Sequence, residues 1–177
     1  MSEHDVEFGV QESEVIQALD LVVPVMYPGE RCTVLATPEL AYDSLGLPES
    51  GIPPSANPLS LTVDLLDVLP APEIMSLSLE DRFRIGRRKK ERGNFWYARK
   101  NFTPAINCYR KATDYFDDDR LELSVPIDRF SLPAELQELL AERVKTFNNL
   151  AMAQVKIQSL DAALVSLREV LKVEVNE

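Results

Sequence analysis

The chain has 177 residues, 45% apolar and 27% charged, so it is too hydrophobic to be disordered throughout and has room for one domain or two small ones. A formal charge of −10 argues against nucleic acid as the main partner, since a polyanion must be met by clustered Lys and Arg. The apolar runs are only a few residues long where a bilayer span takes roughly 20, and direct membrane insertion is not expected.

The start, Met1 to Asp5, has neither the basic residues nor the apolar core of a secretory signal, which makes a cytoplasmic or nuclear location the default expectation. Cys32 and Cys108 lie far apart and read as two buried thiols, with no disulfide framework or metal site to be built from them. His4 is the single histidine. Without a nucleophile–base pair, a glycine-rich phosphate loop or a metal-ligand cluster, no catalytic residue is singled out, and no cofactor or metal is expected.

Charge and proline divide the chain. Residues 1–79 hold thirteen acidic residues and one basic one, Arg31, whereas residues 80–177 hold sixteen acidic and eighteen basic; nine of the twelve prolines lie before position 80. Two modules are therefore expected, at 1–69 and 79–177, with a linker at 70–78 around Pro70-Ala71-Pro72.

In chain order, Ser13 to Leu19 opens on a capping residue and reads as a short helix. Arg31 to Ala36 follows the turn signal Pro28-Gly29 and reads as a strand. Residues 37–58, rich in Pro, Gly and Ser, form a loop of a length that is usually functional or mobile. Leu59 to Leu65 alternates apolar and polar with period two, the pattern of a half-buried strand. Residues 79–117 carry apolar positions at helical spacing, broken at 101–104 where Pro104 suits the first turn of a new helix. Residues 115–132, with Asp117-Asp118-Asp119, Pro126 and Pro133 nearby, read as an insertion, followed by a long helix from about Pro133 to Ile157.

The segments Glu14 to Asp20, Pro28-Gly29-Glu30, Pro38 to Tyr42, Gly46-Leu47-Pro48 and Ile52 to Ala56, with the strand after them, resemble in order and spacing the C-terminal half of the tacrolimus-binding, FKBP-type immunophilin domain. The wording of Val15 to Leu21 and Val23-Pro24 is most similar to the family's divergent, tail-anchored mitochondrial branch, whose members act as chaperone adaptors and bind anti-apoptotic proteins. Such domains catalyse rotation about an Xaa–Pro bond, against a barrier of roughly 18–20 kcal/mol, by holding the twisted amide in a dry aromatic cup. The resemblance implies that Phe8, Val15, Ile16, Leu19, Tyr42 and Leu61 line the prolyl-peptide pocket. Leu19 stands in place of a tryptophan floor, Leu61 in place of a phenylalanine, and Asp43 in place of a glycine, so activity is expected to be weak or absent. The family's first strands would fall before Met1, and the chain is expected to be a fragment, a short isoform or an incomplete gene model.

In the second module, setting Gly93 at the eighth position of a tetratricopeptide repeat puts Trp96, Ala105, Tyr109 and Ala112 at the positions that hold aromatic and small residues. A second copy is set on Ala151, Ala163 and Leu167. The repeats lie near 86–119 and 144–177, offset by 58 residues instead of the usual 34. This order, an isomerase-like domain leading into helical repeats, also resembles the immunophilin co-chaperones. In them the repeat groove grips the terminal carboxylates of the ninety-kilodalton heat-shock chaperone through charge-assisted hydrogen bonds. The resemblance implies a carboxylate clamp at Lys90, Asn94 and Asn149, with Asn148 directed elsewhere; the remaining clamp cations belong to a third repeat beyond Glu177, so affinity should be weak. The basic stretch from Arg82 to Arg92 is read as a solvated helix partly lining that groove, in preference to a nucleic-acid, membrane-surface or calmodulin-type helix.

These readings combine into an α+β architecture: a truncated FKBP-like antiparallel sheet with a short helix, then helical hairpins. The leading function is a co-chaperone or adaptor for an acidic chaperone tail. The alternatives are an active peptidyl-prolyl isomerase and a scaffold for anti-apoptotic membrane proteins.

Overall fold

The structure, a computed structural model, describes residues 5–54, 57–118 and 132–174. His4 and most of the anticipated insertion, residues 119–131, lie outside the described residues. The chain is mixed α+β, a two-stranded antiparallel sheet and five helices among the described residues, and forms two compact units, Met1–Ala71 and Pro72–Glu177.

In the first unit, β1 (Arg31–Ala36) pairs with β2 (Leu59–Asp64), Cys32 opposite Val63, Val34 opposite Leu61 and Ala36 opposite Leu59. Period-two alternation puts these six side chains on one face and leaves Arg31, Thr33, Leu35, Ser60, Thr62 and Asp64 exposed on the other. The register is held at one end by Gly29 donating to the Leu65 carbonyl (2.6 Å) and Leu65 donating to that of Glu30 (2.9 Å). Two strands cannot stabilise themselves, so the apolar face needs cover. Helix α1 (Gln17–Val22) packs against β1, and Ile16, Ala18, Val23, Met26, Ala36 and Ala41 make a small core.

Two expectations need correction here. Helix α1 begins at Gln17 after Ile16, and Ser13 does not cap it: Ser13 sits at φ 61°, where its amide and that of Gln11 donate to the Asp20 carboxylate (3.2 and 3.0 Å). An acid from the helix itself folds the preceding turn back, which removes Ser13 from the capping position. Cys32 is only half-buried, its thiol 3.6 Å from the Met26 sulfur, whereas Cys108 is fully buried.

The long connection between the strands is built from three short 3-10 turns and a Leu47–Ile52 bridge with two backbone hydrogen bonds, 2.8 and 3.0 Å. Gly46 is required there. At φ 62° a Cβ would come within 2.5 Å of the Pro53 carbonyl oxygen.

The second unit consists of two helical hairpins, α2 (Leu79–Ala98) with α3 (Phe102–Tyr115) and α4 (Ala134–Lys156) with α5 (Leu160–Glu174). Ser78 caps α2, accepting from the Asp81 amide at 3.1 Å. The two hairpin turns share one geometry, the crossed 6→1 and 5→2 bonds of a Schellman ending. Lys100 and Gln158 take φ 64° and 61°, the amides of Asn101 and Ser159 reach back to the Trp96 and Gln154 carbonyls (3.0 and 2.9 Å), and those of Lys100 and Gln158 to Tyr97 and Val155. Lys100 and Gln158 are 58 residues apart, the same offset as Gly93 and Ala151.

Small residues let the helices approach. Gly86 faces Phe116 and Gly93 faces Tyr109, while Trp96, Ala105, Tyr109 and Ala112 are buried. In the second hairpin Ala151 and Ala163 are buried but Leu167 is exposed. Phe116, Leu136, Leu139, Leu140 and Ala112 form the central cluster, joining the end of α3 to the start of α4. Among the described residues no helix is long and apolar enough to cross a membrane.

Candidate peptide groove and the residues around it

Helices α2 and α4 meet along a seam marked by two polar rungs. At the first, the Lys90 ammonium donates to Glu142; at the second, the Asn149 side-chain amide donates to the Asn94 side-chain oxygen at 3.1 Å. Lys90 and Asn94 are one turn apart on α2, and Glu142 and Asn149 two turns apart on α4, so each pair shares a helix face.

Asn94 oxygen accepts a second bond, 2.8 Å long, from the Tyr109 hydroxyl on α3. With that oxygen engaged twice, the amide nitrogen of Asn94 is its donor for a ligand. Asn94, Asn149, Tyr97, Tyr109 and Met152 line an open hollow of about 110 Å³. Asn148 is not among its lining side chains. The hollow offers amide donors and two phenol rings beside a thioether, a surface suited to a peptide carrying both a hydrogen-bond acceptor and an apolar side chain. Burial, aided by the neighbouring Tyr97 and Cys108, pushes the Tyr109 phenol up to about 12, so it remains an O–H donor to Asn94 at any physiological pH.

The structure thus brings Asn94 and Asn149 into contact and puts Lys90 one turn away, held by an internal acid. Glu142 escaped sequence reasoning because its partner lies 52 residues away, and no local spacing signals such a pairing. Its carboxylate is nearly buried, 7% exposed, with Lys145 at 3.2 Å and Arg87 at 3.7 Å as further cations. Burial alone would push its carboxyl up, but the hydrogen bonds and attraction of Lys90 and Lys145 outweigh it and hold the group below its ordinary value.

The basic stretch of α2 is only in part the solvated face expected of it: Arg84, Arg87 and Arg88 are exposed, but the other cations turn inward. Arg82 is buried, bonded to Asp118 (2.9 Å), to the Tyr115 carbonyl (3.3 Å) and to the Asp117 carbonyl. Lys89 is buried with its ammonium 5.5 Å from the Tyr115 ring centre, and the Arg92 guanidinium stacks over Phe95 and Trp96 at 4.3 and 4.7 Å. Arg84 pairs with Asp81 and Arg87 with Glu138. Arg82, Arg84, Arg87, Lys89 and Arg92 thus each meet a neighbour within the unit.

The six residues assigned to the prolyl-peptide pocket lie in the first unit. Ile16 is buried at the start of α1; Phe8, Val15, Leu19, Tyr42 and Leu61 are partly exposed. Leu61 stands opposite Val34 on the covered face of the sheet, and Tyr42 precedes a 3-10 turn at 43–45. Asp43, standing where the resemblance calls for glycine, has φ 53°, the left-handed region that glycine enters without penalty.

Comparison with known proteins bears on both units. Residues 1–66 match the family model of the FKBP-type peptidyl-prolyl cis-trans isomerases. FK506-binding protein 5 of Rhizopus delemar is 30% identical over 111 residues, 63% of this chain and 27% of its own length. Human peptidyl-prolyl cis-trans isomerase FKBP4 is 25% identical over 177 residues, 98% of this chain and 36% of its own, and Drosophila melanogaster FK506-binding protein 59 is 25% identical, with 97% of this chain and 44% of its own covered. A solved multi-domain immunophilin from Arabidopsis thaliana is 25% identical with a TM-score of 0.45, over 88% of this chain and 60% of that one. The chain therefore spans less than half the length of these curated relatives.

Proposed function

We propose, from an FKBP-type isomerase sequence at residues 1–66, that this chain works as a co-chaperone or adaptor. Its second unit, built of tetratricopeptide-like hairpins, takes the acidic, carboxylate-ended tail of a heat-shock chaperone or a similar peptide. The observation that carries this reading is the meeting of Asn94 and Asn149 at the hollow, with Lys90 one turn along the same face of α2. The repeated hairpin turn at Lys100 and Gln158 supports reading the two hairpins as copies of one unit. Amide donors with an ammonium beside them meet the chemical requirement of a terminal carboxylate, which seeks several charge-assisted hydrogen bonds at once.

Fluorescence anisotropy with a labelled acidic peptide tests the reading. Binding is expected with a free C-terminal carboxylate and not with its amide, and Lys90→Ala or Asn149→Ala should weaken it about tenfold, as loss of one charge-assisted bond predicts. Equal binding of acid and amide peptides would reject the clamp.

A second reading, an active peptidyl-prolyl isomerase, is favoured by the family match over residues 1–66. It predicts prolyl turnover in a protease-coupled assay that Tyr42→Phe or tacrolimus abolishes. Under the adaptor reading, turnover stays near the uncatalysed rate while peptide binding persists.

A further inference from the structure

We infer that Glu142 is an internal stand-in for the ligand carboxylate, one that governs how available Lys90 is to an incoming peptide. The role rests on the clamp reading above and adds to it a residue that sets affinity. Glu142 accepts from the Lys90 ammonium at the rung next to Asn94–Asn149, so the clamp cation already holds a carboxylate of the kind it would take from a ligand.

The pair is shielded: the Lys90 side chain is 16% exposed and that of Glu142 7%. Glu142 is also anchored, its backbone carbonyl accepting from the Thr146 hydroxyl at 2.7 Å and its carboxylate from Lys145 at 3.2 Å. An ammonium has three donors, so a second carboxylate can share Lys90 without expelling Glu142. It meets a cation whose charge is already compensated, and two carboxylates around one ammonium repel each other. Removing the Glu142 charge while keeping its shape should therefore strengthen the groove's hold on acidic peptide ends and leave neutral ends unaffected.

The test uses the full chain and two readouts. In the first, anisotropy with an acidic peptide bearing a free terminal carboxylate should show Glu142→Gln binding about three- to tenfold tighter than the wild type, the size of one partly shielded ion pair. The gain should shrink when Lys90→Ala is added. In the second, without peptide, competitive acetylation read by mass spectrometry should show Lys90 modified several-fold faster in Glu142→Gln. If Glu142→Gln does not fold by far-UV circular dichroism, Glu142→Asp, which withdraws the carboxylate by one methylene, is read the same way with a smaller gain. Lys90-dependent binding that is no tighter in Glu142→Gln, or Lys90 acetylation at an unchanged rate, overturns the role of Glu142 while leaving the clamp standing. No binding of the peptide to either form overturns the clamp and this role together.

Discussion

Gly93 on α2 and Tyr109 on α3 lie so close that a Cβ on the glycine would come within 2.5 Å of the tyrosine ring. Tyr109 cannot retreat easily: its ring is buried and its hydroxyl holds Asn94. In an exposed helix Gly→Ala gains about 1 kcal/mol, but here overpacking costs about 1–3 kcal/mol and the local hydrogen bond is pushed out of line. Gly93→Ala should therefore lower the urea midpoint of the helical unit and weaken peptide binding through displaced Asn94. A raised midpoint would show that the helices can part at no cost.

The Tyr109 phenol yields a pH prediction. Burial raises it to about 12, so its contribution to stability is intact below the ordinary value of 10.0 and is lost as pH rises toward 12. Ultraviolet titration of the five tyrosines should contain one late phase near 12 that Tyr109→Phe removes.

Arg82 and Asp118 are both buried and pair at 2.9 Å. Breaking such a pair from one side leaves an uncompensated charge, which costs about 3–5 kcal/mol. Two backbone carbonyls remain as acceptors for Arg82, so Asp118→Asn should fall toward the lower end of that range in chemical denaturation. Arg82→Met with Asp118→Leu should recover much of the loss.

Glu142 gives the opposite pH sign to Tyr109. Burial would raise its carboxyl, but Lys90 and Lys145 hold it below its ordinary 4.5, so its stabilising contribution is present above that value and fades as pH falls through the lowered one. Thermal melts of the wild type should lose stability on acidification more steeply than those of Glu142→Gln. Parallel acid limbs would mean that the ion pair does not contribute to folding.

Sequence alone determined the local elements. The turn signal Pro28-Gly29 marked the strand at Arg31–Ala36, period-two alternation marked that at Leu59–Asp64, and apolar spacing with the interruption near Pro104 marked α2 and α3, because turn residues and periods of 2 and 3.6 residues are properties of a single chain segment. The start of α1 was missed because an Asp20 side chain reaching back to Gln11 and Ser13 overrides the propensity of Ser13 to cap. Tertiary structure alone decided what the charged residues of α2 do. Whether Arg82 is a surface cation or a buried one, and whether Lys90 waits for a ligand or rests on Glu142, depends on acids 36 and 52 residues away that packing brings alongside. Side-chain pairing across helices follows from how the helices are set against each other, and no spacing along the chain encodes it.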